Sequence, residues 1–346
     1  MNETEQKRLL ERVHTEPFAL CFSGQGFDWI GMLREALAEG AREEAGKIAD
    51  AAARMIAHVA EQLATARPQG FVPIMWADGN GEIDLVRAAV SVPGIFLSQI
   101  ANLHTLQARG LDIGKAAGVI GHSQGILGRY LVSEPHRAAE ILALAELIGA
   151  AATLQGRKTG LYMHNGGHAM VMVQGVNRAQ LADIIDNLFP AGSSDLADRP
   201  CIGLRNSREA FVVSGRPESV RRVCEVLSAT IKDSDGLTPE SLLVPLEVEV
   251  GFHHPLLAPA VAQVAEWAAV CGLDAEQARA IAQNVLADPV DWVEECRRMV
   301  GLGVRRILEI GPSGGVAMLT QAVLDGENIE VLDVSGAEGK AALFGA

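Results

Sequence analysis

Cysteine is scarce and scattered: five residues in 346, Cys21, Cys201, Cys224, Cys271 and Cys296, with no C-x-x-C pair. That excludes a disulfide framework and a cysteine zinc site, and it suits a reduced cytoplasm. Positive charge is also short, with 29 Lys and Arg against 43 Asp and Glu and a net charge of −14. Such a chain lacks the basic face that nucleic acid or an anionic membrane requires. No apolar run is clean enough to span a bilayer, because "AAVSVPGIFLSQIANL" and "AAEILALAELIGAAATL" carry Ser, Gln or Glu within any sufficient length. The opening "MNETEQKRLLERVHTEP" is too polar for a signal peptide. Neither G-x-G-x-x-G nor G-x-x-x-x-G-K occurs, so dinucleotide-binding and P-loop readings fail. Repeats and low-complexity tracts are absent.

What is present is apolar material, 49% of the chain, enough for one large domain or a large domain carrying an insertion. Strand-like runs at 18–22, 116–120, 305–310 and 329–334 alternate with helical patterns at 31–66, 84–109, 124–155 and 255–285. That alternation predicts an α/β fold with a mainly parallel sheet covered by helices. Residues 67–83, rich in Pro and Gly, read as a long surface excursion. The rhythm changes between 166 and 246, where strand, helix, two strands, helix and strand follow in the βαββαβ order of a ferredoxin-like unit. The linkers "GLYMHNGG" and "KDSDGLTPE" mark its borders. The expected organisation is an N-terminal extension over 1–16, a large α/β catalytic domain over 17–165 and 247–346, and an inserted domain over 166–246.

The chemistry concentrates at "GVIGHSQGILGRYLV", residues 118–132. G-x-S-x-G makes a nucleophile elbow when a strand enters it and a helix leaves it, and both patterns flank Ser123. The tight turn would push Ser123 Oγ out at the carboxyl edge of the sheet, with the Gln124 amide facing the same space as half of an oxyanion hole. The plain alternative is a loop serine capping the next helix. A nucleophilic serine needs a base. Of nine histidines, His253 and His254 in "VEVGFHHPLLAPAV" stand at a strand end, stopped by Pro255, where α/β sites assemble. His122 adjoins the serine and more naturally braces the turn. A second bare-amide turn, Gly24-Gln25-Gly26, follows the first strand.

In this order the pieces resemble the malonyl/acetyl-CoA:acyl-carrier-protein transacylase family. The motifs are Gly24-Gln25-Gly26, Gly121-His122-Ser123-Gln124-Gly125, Asn206 with Val212 and Gly215, Phe252-His253, and Glu309-Ile310-Gly311-Pro312. The resemblance runs from residue 17 to about 335. Within it, "AAVSVPGIFLSQIA", "LIGAAATL", "VEVGFHHP" and "VDWVEE" are similar to the N-terminal acyltransferase domain of the mycobacterial/corynebacterial-type single-chain type I fatty acid synthase. The ending "GKAALFGA", read as lacking a closing helix, suggests a piece of a longer polypeptide.

The resemblance implies an α/β-hydrolase-like core with Ser123 as acylated nucleophile and His253 as base. The amides of Gln124 and Gln25 would form the oxyanion hole, and the main-chain carbonyl of Asp291 would orient the histidine. Asn206 would face the cleft. Relatives that take malonyl groups hold the carboxylate with an arginine, whose position falls here at Ile148, so the pocket is expected to be apolar and to take acetyl. Phe252 beside the base points to a short chain. The implied reaction moves acetyl from acetyl-CoA, through acyl-serine, to the phosphopantetheine thiol of an acyl carrier protein, with no permanently bound cofactor and no metal. Expected partners are the carrier domain, other domains of the same synthase and CoA thioesters. Arg205, Arg208, Arg157 and Lys158 are candidates for the CoA phosphates. Competing readings are a malonyl transacylase, a serine esterase or thioesterase, and a silent docking domain.

Overall fold

A computed structural model describes residues 3–25, 28–190, 192, 198–231, 238–312 and 315–345. Gly26, and the 232–237 part of the second linker, lie outside the described residues.

Four short runs of β-branched and large apolar residues form the main sheet: β1 (Phe18–Phe22), β2 (Gly118–Gly121), β8 (Arg306–Ile310) and β9 (Glu330–Asp333). Their order is β2-β1-β8-β9, all parallel. β1 and β8 are buried along their whole length, as expected of strands covered on both faces. On one face, helices Ala88–Ala108 and Ala138–Thr159 pack together. Both are apolar nearly all round and almost wholly buried, which fits helices at the centre of a large core. The segment Pro135–Thr159 is apolar and long enough to cross a membrane, but 78% of its most apolar window is buried inside the fold. On the other face, Trp292, Cys296 and Met299 cover Ala19, Cys21 and Ile120.

The second sheet joins β3 (Met170–Gln174), β4 (Cys201–Arg205), β5 (Ala210–Ser214) and β6 (Leu243–Pro245), with helices Arg178–Leu188 and Pro217–Ile231 between them. This is the expected βαββαβ unit, in the order β6-β3-β5-β4 and antiparallel throughout these four. A two-residue strand from the large unit, β7 (Val290–Asp291), adds parallel to β4. Strand alternation divides the residues of this sheet. Val171, Val173, Phe211 and Val213 pack under the two helices with Leu181, Ile185, Val220 and Val223. Met170, Met172, Leu204 and Val212 face the other way, toward the main sheet's carboxyl edge.

Three expectations change. The stretch 67–83 is anchored rather than a free excursion: Arg67 and Trp76 are buried, and 73–77 is helical. The 1–16 segment packs into the fold, its helix Glu3–Thr15 lying against helix Ala337–Phe344 with Val13 fully buried. That last helix also corrects the reading of a missing closing helix after β9. Its Lys340 is buried and pairs with Glu39 at 2.8 Å.

Candidate active site

β2 ends at Gly121, and the chain turns through His122 and Ser123 into a 3-10 turn (Ser123–Ile126) and helix Leu127–Ser133. Ser123 sits at φ +55°, in the left-handed region that costs a non-glycine residue about 1–3 kcal/mol. Close packing on either side holds it there. A Cβ at Gly125 would lie 2.1 Å from the Phe22 carbonyl oxygen, so only glycine lets the turn press on β1. From the opposite side, a Cβ at Gly24 would lie 3.0 Å from Ser123 Cβ and 3.5 Å from the Gln124 nitrogen. The Gly24-Gln25 turn therefore lies directly against the elbow. Gln25 lines the same cleft as Ser123, and its side chain donates to Ser91 Oγ.

His253 arrives from the far side of the cleft, also in the left-handed region at φ +58°. Its Nε2 lies 2.8 Å from Ser123 Oγ. Its Nδ1 lies 2.7 Å from the main-chain carbonyl of Asp288. A carbonyl can only accept, so Nδ1 carries the proton and Nε2 is left to accept from the serine hydroxyl. Burial pushes this imidazole down to about 4, against a smaller upward pull from the Asp288 carbonyl. It is therefore neutral, and ready to take a proton, at physiological pH. β4 backs it closely: Cys201 Sγ donates to the His253 carbonyl at 3.3 Å, and a Cβ at Gly203 would lie 3.1 Å from His253 Cβ.

The orienting carbonyl thus corrects the assignment to Asp291. Asp291 instead stands at the N-cap of helix Trp292–Gly301, its carboxylate accepting from the Glu294 amide and pairing with Arg205 at 3.0 Å. The helix start and β7 commit Asp291, and the carbonyl free to meet the imidazole comes three residues earlier, in the turn before β7. His254 points elsewhere. Its Nδ1 accepts from the Leu256 amide at 3.1 Å and its Nε2 donates to the Arg199 carbonyl at 3.2 Å. His122 meets Asn206 Oδ1 through Nε2 at 2.8 Å and sets its ring edge-on to Trp292. It ties the elbow to the end of β4.

The cleft above Ser123 has a volume of about 380 Å³. Gln25, His122, Ser123, Gln174 and Asn206 give it polar points, while Met170, Met172, Leu204, Val212, Val248 and Phe252 form most of its wall. No Lys, Arg, Asp or Glu lines it among the described residues. Ile148, the residue standing where a carboxylate-binding arginine would fall, does not reach the cleft. It is fully buried in the helical core, because its helix is packed on all sides. Phe252 does line the cleft. The four cations considered for CoA phosphates lie outside it: Arg205 is held by Asp291 and Arg157 by Glu249, while Arg208 and Lys158 are exposed. Among the described residues no three His, Cys, Asp or Glu side chains gather as metal ligands.

Sequence reasoning missed Asp288, Gly203 and the methionines. The methionines had a signal in the alternation of "AMVMVQG", whereas a backbone carbonyl has none.

A strained serine at a strand-to-helix turn, a neutral histidine steadied by a main-chain carbonyl, and a ferredoxin-like sheet roofing the cleft together define a Ser-His site on an α/β fold. Comparison with known proteins shows what this chain is similar to. A family described as the fatty acid synthase central AT domain matches residues 169–235. The chain is 26% identical over 345 residues to the malonyl CoA-acyl carrier protein transacylase of Bacillus subtilis, covering 90% of this chain and 95% of that one. It is 26% identical over 288 residues to the fatty acid synthase beta subunit hexB of Dothistroma septosporum, covering 67% of this chain but only 14% of that subunit. Among solved structures, a malonyl-CoA:acyl carrier protein transacylase from Xanthomonas oryzae shares the fold with a TM-score of 0.70 at 21% identity, over 95% and 98% of the two chains. A malonyl-transacylase in complex with a type II PKS acyl-carrier protein matches with a TM-score of 0.67 at 20% identity, over 94% and 99%.

Proposed function

We propose that this chain moves a small acyl group from coenzyme A to the phosphopantetheine thiol of an acyl carrier protein through an acyl-Ser123 intermediate. The observation that carries this reading is the 2.8 Å contact between Ser123 Oγ and a neutral His253 at the floor of an open cleft. His253 Nε2 takes the hydroxyl proton as Oγ attacks the thioester carbonyl. In this reading the main-chain amides of Gln124 and Gln25 hold the oxyanion. The C–S bond then breaks, and the proton passes from Nε2 to the departing CoA sulfur. In the second half the carrier thiol gives its proton to His253, attacks the acyl-serine ester, and leaves Ser123 Oγ to be reprotonated. A thiolate leaves readily, so the histidine needs only orientation, which the Asp288 carbonyl supplies without a buried carboxylate. That same absence of a carboxylate on Nδ1 disfavours the esterase reading.

For the acyl group, the cation-free lining favours acetyl. A malonate carboxylate there would be desolvated without a partner, which costs several kcal/mol, on the order of 1–3 or more. The malonyl reading is favoured instead by the Bacillus subtilis relative, similar over nearly its whole length. The match to part of a fungal synthase subunit supports a place beside other synthase domains, and the five free cysteines suit a cytoplasmic setting.

The test is intact-protein mass spectrometry after brief exposure to acetyl-CoA and malonyl-CoA in equal amounts. An acyl increment is expected on the native chain and none on Ser123→Ala. Steady release of free CoA with no adduct would overturn the transferase in favour of a hydrolase. The mass of the increment separates acetyl from malonyl.

A further inference from the structure

The cleft is much larger than an acetyl group needs. At about 30 Å³ for a water-sized group in a liquid, its 380 Å³ accommodates about a dozen such groups, and a two-carbon acyl fills only the Ser123 end. The remainder is walled by the face of the second sheet that turns away from its two helices. Met170 and Met172 from β3, Leu204 from β4 and Val212 from β5 form a continuous apolar surface, with Val248 beside them. In each strand the neighbouring residues pack beneath the two helices, so strand alternation commits these side chains to the cleft. Met170, Leu204 and Val212 are buried among the residues of the main core, yet they line the cleft that holds the nucleophile.

The pantetheine arm enters by the same mouth but does not match this surface. Its two amides need hydrogen-bond partners, and the side chains from Met170 to Val212 offer none. Polar side chains that such amides could meet stand at its edge instead, in Gln174 and in Asn206, whose Oδ1 is taken by His122. Methionines, flexible and polarizable, adapt their shape to chains of different length.

We propose that the Met170–Met172–Leu204–Val212 face binds the hydrocarbon tail of a saturated acyl group of about six to twelve carbons. The enzyme thus loads medium-chain acyl groups from CoA onto Ser123 as well as the smallest ones. This rests on the acyl-Ser123 reading, extends its substrate class and replaces the short chain expected from Phe252, which is one wall residue of the 380 Å³ cleft. Each methylene buried on such a face strengthens binding by up to about fourfold.

The experiment exposes the full chain to equal amounts of acetyl-, malonyl-, octanoyl- and decanoyl-CoA and follows intact mass over early times. Octanoyl and decanoyl increments at least equal to acetyl are expected. Met172→Trp, which fills the middle of the cleft, should lower the octanoyl-to-acetyl loading ratio at least tenfold. Acetyl or malonyl increments without medium-chain ones would overturn this inference and leave the acyl-serine mechanism standing. No increment from any thioester would overturn both. Calorimetric titration of Ser123→Ala reads the surface without chemistry. Octanoyl-CoA should bind at least tenfold more tightly than acetyl-CoA, and equal affinities would reject the proposed face.

Discussion

Ser123 and His253 are two of three non-glycine residues with positive φ among the described residues, the third being Asn165. Two strained residues whose side chains meet at 2.8 Å point to a geometry that the surrounding packing enforces. His253→Gln keeps the shape but loses the base, and acyl loading should fall by about 10²–10⁴ in single-turnover measurements. Because burial holds the imidazole near 4, loading should stay flat from pH 8 to about pH 5, with no inflection near 6.5. Stability should respond to the same group. The unfolded imidazole takes its proton near 6.5 and the folded one only near 4, so between those values the unfolded chain binds more protons. The stability present above pH 6.5 is therefore lost as pH falls toward 4, on the order of 3 kcal/mol from this residue. Urea unfolding at pH 7 and pH 4.5 should show His253→Gln losing less than the native chain. Equal losses would sink the assignment. Asp291→Ala removes the carboxylate that caps helix Trp292–Gly301 and leaves every main-chain carbonyl in place. It should cost about 1 kcal/mol as a lost helix cap and leave acyl loading unchanged, since the Asp291 side chain caps the helix and pairs with Arg205 rather than touching Ser123 or His253.

At the scale of elements, the elbow is legible because its requirements are local. A strand, two small flanks and a helix are written in consecutive residues, and Gly125 is needed where the turn presses on Phe22. Gly125→Ala should lower stability by about 2 kcal/mol or more and abolish loading, both visible in a thermal scan with parallel mass spectrometry. The histidine's support was not legible, since it comes from the turn before β7 and from β4, 35 and 52 residues away along the chain, brought together where β4 pairs with β7. Gly203 shows the point. Nothing in "CIGLRN" marks that glycine as the wall behind a base. Gly203→Val should displace His253 and reduce loading at least tenfold while shifting the melting temperature little. A large stability loss with unchanged activity per folded molecule would contradict that role.

At the scale of the whole molecule, buried polar groups lock the helices that frame the site. Arg67 and Glu146 pair at 2.6 Å, both almost fully buried, and Arg67 also donates to the Ala89 carbonyl. Burial pushes the Arg67 guanidinium down and the Glu146 carboxyl up, which marks the cost that their pairing offsets. Glu249 accepts from the Ala88 amide and the Thr153 hydroxyl through one oxygen and pairs with Arg157 through the other. It thereby joins the start of helix Ala88–Ala108 to the strand end that leads to His253. Arg67→Met alone should destabilise by about 3–5 kcal/mol by leaving a buried carboxylate unpaired, whereas Arg67→Met with Glu146→Leu should recover most of it in urea titrations.

Sequence by itself determined the strand and helix rhythm, the split βαββαβ unit, the elbow and the histidine pair, because each depends on periodicity or on neighbours within a few residues. Tertiary structure alone decided which histidine reaches Ser123, since adjacent His253 and His254 point to opposite partners. It also decided that Asp288 rather than Asp291 supplies the carbonyl, and that Ile148 is core rather than cleft wall. Backbone carbonyls carry no residue signature, and a fully apolar helix gives no indication of which of its faces meets a cavity. Those choices are made by packing between segments far apart in the chain.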